Sequence, residues 1–159
     1  MKVIKLDHYS VKILHALQQD ASISQRALAE KVNLSANACW HRMQSLKKSG
    51  IIVGQTVHLD RKKLGLNLVV FVMLRTRNHS AVWLDSFRQL VSDIPEVIDF
   101  YRIGGDYDYF LKVVTQSMET YDNVYQRLIN DMDFDSITSY FAMEAIIDQN
   151  PLPISPTKQ

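Results

Sequence analysis

"EVIDFYRIGGDYDYFLKVVT", residues 96–115, decides how most of the chain folds. Two apolar runs, "EVIDFYRI" and "YDYFLKVVT", flank adjacent glycines, which predicts two strands joined by a tight turn at Gly104 and Gly105. Upstream, "SAVWLDSFRQLVSDI" carries Trp83, Phe87, Leu90 and Val91 at helical spacing with Ser80 as its cap, and "LVVFVMLRT" is an almost unbroken apolar strand. Downstream, "SMETYDNVYQRLIND" returns to helical spacing through Met118, Tyr121, Val124, Tyr125 and Leu128, and "SITSYFAMEAII" reads as a last strand. Strand, helix, strand, strand, helix, strand is the ferredoxin-like βαββαβ order, a four-stranded antiparallel sheet with both helices on one face. Val70, Val72 and Leu74 alternate with Val69, Phe71 and Met73, so the first strand is apolar on both sides. The face without helices therefore needs a cover, and a second copy of the chain is the simplest one.

The N-terminal third follows a different rule. Leu6, Val11, Ile13, Leu14 and Leu17 lie mostly on one helical stripe behind a potential Asp7 cap. A second helix is expected after Ser24, with Leu28, Ala29 and Val32 inward, and Asn33 ends it in a tight turn. Ser35 caps a third, "ANACWHRMQSLKKSG", which closes at Gly50. Three short helices with a tight turn between the second and third make a helix-turn-helix. The chain is thus expected to be α+β: a helix-turn-helix over 1–50, a strand linker over 51–65 from "IIVGQTVHLD" and a turn at Gly65, a ferredoxin-like body over 66–148, and a flexible tail over 149–159. That tail, "NPLPISPTKQ", holds three of the four prolines and is expected to lack a fixed fold or to lie across a partner subunit.

Charge is divided along the same line. Residues 1–63 carry eleven Lys/Arg against four Asp/Glu, a net of +7, and residues 64–159 carry seven against thirteen, a net of −6. A basic module on an acidic body is the pattern of a nucleic-acid-binding unit attached to something with another task. Cys39 is the only cysteine, which excludes an intrachain disulfide and a thiolate zinc cluster within one chain. No run approaches the roughly 18 apolar residues of a membrane span, and the N-terminus lacks a signal-peptide core, so the expectation is a cytoplasmic protein with no membrane partner. No nucleophile elbow, Walker loop or HExxH is present, and neither an enzymatic role nor a cofactor is expected. "GGDYD" has a superficial likeness to the GGDEF signature, but Tyr107 and Asp108 stand where that motif has Glu and Phe.

The third helix separates its faces. Ala36, Cys39, Met43 and Leu46 share the inward side, Asn37, His41, Gln44 and Lys48 the outward one, and Trp40 and Lys47 lie on the border. A helix entering the major groove needs side chains that bond base edges and touch methyl groups, which makes Asn37, Trp40, His41 and Gln44 the base-proximal candidates. Lys47 and Lys48 suit the phosphate backbone of double-stranded DNA. The alternative is a ligand-binding or assembly protein whose helix-turn-helix makes only protein contacts, a use that Trp40 fits equally well. For the glycine turn there are also two readings. Gly104 and Gly105 leave backbone amides accessible to a carboxylate, with Asp106 or Asp108 for an ammonium group. Alternatively the glycines only turn a hairpin, and the aspartates cap or pair with Arg102 and Lys112.

"LSANACWHRMQSLKKSGII", with its Cys and Arg, and "GGDYDYFLKV" resemble the recognition helix and effector turn of the Lrp/AsnC transcription regulators, over residues 6 to about 148. The resemblance implies a sequence-specific DNA-binding regulator that pairs into dimers or larger assemblies of dimers and binds a small effector, commonly an amino acid, between subunits. It adds Ser35 and Arg42 to the DNA-binding set. It implies effector contacts at Gly104, Gly105, Asp106, Tyr107 and Asp108, and at positions similar to Met118, Tyr140, Phe141 and Ala142. Many members carry prolines ahead of the recognition-helix cysteine, where this chain has Ala36 and Ala38.

Overall fold

The computed structural model describes residues 4–157. The chain forms two compact units, one made of the segment up to His58 together with the segment from Ile147 onward, the other of Leu59–Ile146.

The first unit holds α1 (His8–Gln19), α2 (Gln25–Lys31) and α3 (Ala36–Lys48). Each starts on a side-chain cap: Asp7 accepts from the Ser10 amide, Ser24 from Ala27 and Ser35 from Ala38. Both α2 and α3 end in the same backbone device. At α2, Asn33 sits at φ 57° while its amide donates to the Glu30 carbonyl and that of Leu34 to Ala29. At α3, Gly50 sits at φ 75° while its amide donates to Lys47 and that of Ile51 to Leu46. These paired bonds satisfy carbonyls that a helix end leaves open, and they need a left-handed residue at the turn, which Gly and Asn tolerate. Ile13, Leu14, Ala16, Leu28, Ala29, Val32, Cys39 and Leu46 form the core between the helices. Ala36, expected inward, is exposed at the first turn of α3.

One expectation for the connecting segments fails. No strand forms over 51–59, and Val53, Val57 and Leu59 are left exposed. Alternating residues become a strand only against a pairing neighbour, and the described chain offers none there. The tail, expected to lack a fixed fold or to lie across a partner subunit, has no helix or strand over its described residues, and Leu152, Ile154 and Thr157 hydrogen-bond to Gln18, His15 and Leu6.

The second unit runs β1 (Leu68–Arg75), α4 (Ala81–Ser92), β2 (Val97–Arg102), β3 (Tyr109–Thr115), α5 (Met118–Asp131) and β4 (Ser136–Phe141). Its antiparallel sheet has the order β2-β3-β1-β4, the ferredoxin-like arrangement. Val70, Val72 and Leu74 of β1, with Tyr109, Leu111 and Val113 of β3, face Phe87 and Val91 of α4 and Tyr121, Val124 and Leu128 of α5. Phe87 is fully buried at the centre of Trp83, Phe100, Tyr109 and Phe134, each with its ring centroid 5.0–5.3 Å away. Met118 does not join that core; as the first residue of α5 it is 56% exposed. The last strand is shorter than expected, ending at Phe141, and Met143, Ile146 and Ile147 lie exposed beyond it. On the open face, Phe71 stacks on Phe110 at 5.7 Å and Tyr101 tilts against Phe110 at 6.1 Å.

Candidate functional site

The first set of candidate residues lies on α3. Cys39 and Leu46 are buried on its inner side, and burial raises the Cys39 thiol pKa above its ordinary value. Asn37, His41, Gln44, Lys47 and Lys48 are exposed on the outer side, and Trp40 is 42% exposed with its ring edge-on to His41 at 4.9 Å. The side chains of Asn37, Gln44, Lys47 and Lys48 have no hydrogen-bond or ion-pair partner among the described residues. Lys47 and Lys48 occupy the last turn, where positive charge also complements the helix dipole. Ser35 is the helix cap, its oxygen accepting from the Ala38 amide at 3.2 Å.

Arg42 lies at the junction of α3 and the start of α1. It is half-buried, ion-paired with the Asp7 carboxylate and stacked 5.4 Å over the Tyr9 ring. The Ser10 amide bond and Arg42 together hold the Asp7 carboxyl below its ordinary value, against the opposing effect of partial burial. Arg42 therefore braces α3 against the start of α1, and its guanidinium is already engaged. Sequence spacing gives no sign of this pair, whose members stand 35 positions apart.

The second set is divided. The turn between β2 and β3 exposes Gly104, Gly105 and Asp106, and Gly105 at φ 126° adopts a conformation that other residues rarely accept. A Cβ built on either glycine would meet nothing within 4 Å, so both backbones border open space. Asp106 has no partner among the described residues. Asp108 is engaged: its carboxylate accepts from the buried Thr76 amide at 2.9 Å, its own amide donates to Leu74 at 2.9 Å, and its carbonyl accepts from Ile103 at 2.8 Å. Tyr107 reaches Thr138 of β4 at 3.1 Å. Its hydrogen bond to Tyr140, helped by their electrostatic proximity, raises the Tyr140 phenol above its ordinary pKa. Tyr107 and Tyr140 are thus brought together over the sheet.

Met118, Phe141 and Ala142 are not brought to this turn. Tyr140 and Phe141 alternate across β4, and Phe141 goes to the helix side, edge-on to Tyr121 at 5.7 Å. Ala142 donates to the Val69 carbonyl at 2.9 Å, near the start of β1, and Met118 follows the end of β3. The turn lies at the other end of the same strands. Seven residues of β3 separate the turn from Met118, roughly 20 Å at 3.3 Å per residue.

One feature beside the turn was not marked by the sequence pattern. An open cleft of about 620 Å³ is lined by Thr76, Arg77, Asn78, His79, Trp83 and residues 131–135. Asp135 forms its charged edge, pairing with Arg75 at 2.7 Å and Arg77 at 2.6 Å. Partial burial pushes the Asp135 pKa up, but the Arg75 hydrogen bond and the two guanidinium charges prevail and keep it below its ordinary value. "RTRNHS" and "DMDFD" read only as connections in the sequence, and nothing local shows that they converge.

Comparison with known proteins matches both units. Residues 6–53 fit the family model described as winged helix-turn-helix DNA-binding, and residues 69–152 fit the Lrp/AsnC ligand binding domain. The DNA-binding transcriptional activator DecR of Escherichia coli K12 is 43% identical over 150 residues, covering 94% of this chain and 99% of that protein. The crystal structure of an AsnC family transcriptional regulator from Agrobacterium tumefaciens is 40% identical with a TM-score of 0.89, covering 93% of this chain and 97% of that one. A transcriptional regulator of Neisseria meningitidis, solved as its L-Met complex, is 26% identical with a TM-score of 0.88, covering 93% of this chain and 96% of that one.

Proposed function

The chain belongs to the Lrp/AsnC family of DNA-binding transcription regulators, and from that premise we propose that it reads duplex DNA with the outer face of α3 and adjusts that binding to an amino acid. The observation that carries the DNA reading is the division of α3. A buried Cys39 and Leu46 fix the helix, while Asn37, Trp40, His41, Gln44, Lys47 and Lys48 present base-reading and phosphate-binding chemistry outward. Ser35 caps that helix, and Arg42 positions it.

The amino-acid reading rests on the glycine turn. Open backbone at Gly104 and Gly105 suits a carboxylate, and the unpartnered Asp106 suits an ammonium group. Asp108 holds the turn to Thr76, and Tyr107 with Tyr140 forms its aromatic wall. The L-Met complex of the Neisseria regulator supports this class of ligand. Met118 and Ala142 lie further along the sheet from the turn than Tyr140 does, and Phe141 faces the helix side, so a molecule seated on the turn is not expected to reach them within one chain. A homodimer or an assembly of dimers, covering Phe71, Met73, Tyr101 and Phe110 on the open face, would supply the second group from a neighbouring subunit. The work of the protein is binding, not catalysis, and its place is the cytoplasm, with the DNA.

The test is a gel-shift titration on the DNA upstream of the protein's own gene, with random duplex as control, repeated with each amino acid. Preferential binding that one amino acid alters is the expected result. Equal affinity for both duplexes under every condition would refute the regulatory reading.

A further inference from the structure

The segment from Ile147 onward returns from the ligand-binding unit and belongs to the DNA-binding unit, where it lies along α1. Its hold is on backbone. The Gln18 side-chain amide grips Leu152 from both sides, accepting from its N–H at 2.6 Å and donating to its carbonyl at 3.2 Å. His15 Nε2 donates to the Ile154 carbonyl at 3.0 Å, and the Ile154 side chain packs against the helical core. Thr157 closes the far end, its hydroxyl accepting from the Leu6 amide at 2.9 Å and its amide donating to the Leu6 carbonyl at 3.0 Å.

These bonds have a consistent geometry. Gln18 and His8 are ten positions apart on α1, roughly 15 Å at helical rise, and Leu6 lies just before the helix starts. Leu152 and Thr157 are five apart, roughly 16 Å in the extended form that a proline-rich segment favours. An extended peptide running antiparallel to α1 therefore matches the spacing of its partners. Pro151, Pro153 and Pro156 lower the entropy lost on docking and have no N–H to leave unpaired. At the base of the segment, His58 and Gln149 hydrogen-bond side chain to side chain, so the outgoing and returning strands of chain are joined where they meet this unit.

We propose that residues 151–157 are a latch: a docking surface on α1, made by Leu6, His15 and Gln18, holds the chain's own C-terminal segment. The latch gives the DNA-binding unit a second, non-covalently closed tie to the ligand-binding unit, one that starts just past β4, and it stabilises the helical unit by closing over α1.

Three experiments test this. In the full chain, amide exchange at Leu152 and Thr157 is expected to be slowed at least about tenfold against the free peptide of residues 150–159, and the Gln18→Ala substitution should restore the Leu152 rate. Trp40 reports the DNA-binding unit alone once Trp83 is replaced by Phe. A chain ending at Asn150 is expected to lower that Trp40 unfolding transition by several degrees, about 4–8 °C for a unit of this size. Free-peptide exchange rates in the full chain, or an unchanged Trp40 transition in the shortened one, would overturn the latch. A short bis-maleimide joining Gln19→Cys to Leu152→Cys, which leaves Gln18 and the Leu152 backbone in place, should give a product of monomer mass, since Cys39 is buried; a product of dimer mass would overturn docking within one chain.

Discussion

Asp108 separates a ligand contact from a structural one. Its carboxylate accepts the only hydrogen bond that the Thr76 amide makes among the described residues, and Thr76 is 3% exposed. In Asp108→Ala that amide is left without an acceptor on an almost fully buried residue, at a cost of about 1–3 kcal/mol. The hairpin itself should survive, because the main-chain bonds of residue 108 to Leu74 and Ile103 do not depend on the side chain. Asp108→Asn keeps an oxygen for Thr76 and loses only the charge assistance, so its cost should be on the order of 1 kcal/mol. Denaturant unfolding followed by Trp83 fluorescence, with Trp40 replaced by Phe, measures both, because Trp83 packs directly on the core of this unit.

The same pair of variants then distinguishes the roles in binding. With Asp106 as the ammonium partner, Asp108→Asn should bind the amino acid nearly as the unchanged protein does, while Asp106→Asn should lose about tenfold or more in calorimetric affinity, the loss of one charge-assisted bond. An Asp108→Ala protein as stable as the original to within about 0.5 kcal/mol would refute the structural assignment. An Asp108→Asn protein that folds normally but no longer binds would move the ammonium partner from Asp106 to Asp108.

Other consequences are simpler to read. Gln44→Ala should narrow the affinity gap between operator and random duplex, whereas Lys48→Ala should weaken both alike and reduce the salt slope by about 0.9 for each phosphate no longer neutralised; equal effects of the two on both duplexes would count against the α3 assignment. Because the folded pKa of Asp7 is depressed, its contribution to stability is present above the ordinary value near 3.8 and is lost as the pH falls through the folded value. Asp7→Asn, which keeps a capping oxygen, should flatten that acid limb of a pH-dependent melting curve, and an unchanged limb would contradict a folded Asp7 carboxyl held below its ordinary value by the Ser10 amide and Arg42. Phe71→Glu places a charge on the open sheet face without entering the helix-side core, and it should shift the protein to a smaller species by light scattering; an unchanged mass would place the subunit interface elsewhere.

The parts of this fold that could be read from sequence are those fixed by near neighbours. Ser24, Ser35 and Ser80 mark helix starts because a cap bonds an amide three positions ahead, and Asn33 and Gly50 mark ends because the left-handed turn excludes most residues. The glycine turn and its flanking strands were legible for the same reason. What was hidden depends on distant partners. Asp108 meets Thr76 across 32 positions, Arg42 meets Asp7 across 35, and Leu152 meets Gln18 across 134. The failed strand at 51–59 is the reverse case: its alternation was visible, but pairing is a property of a neighbour that the segment does not contain.

The distance between the two groups of candidate effector residues bears on control. If the turn of one subunit and the Met118 and Ala142 end of another must both touch the amino acid, the complete pocket exists only in the assembly. Ligand affinity should then rise with protein concentration, and ligand should in turn favour the assembled form by RT ln(1 + [L]/Kd) for each completed pocket. The coupling is reciprocal, typically about 1–3 kcal/mol, so DNA that binds the assembly better than its parts must also tighten amino-acid binding. Sedimentation with and without the amino acid found in the gel-shift titration measures this directly. A distribution of species that saturating ligand leaves unchanged would mean that one chain holds the whole pocket, and Met118 and Ala142 would then lie outside it.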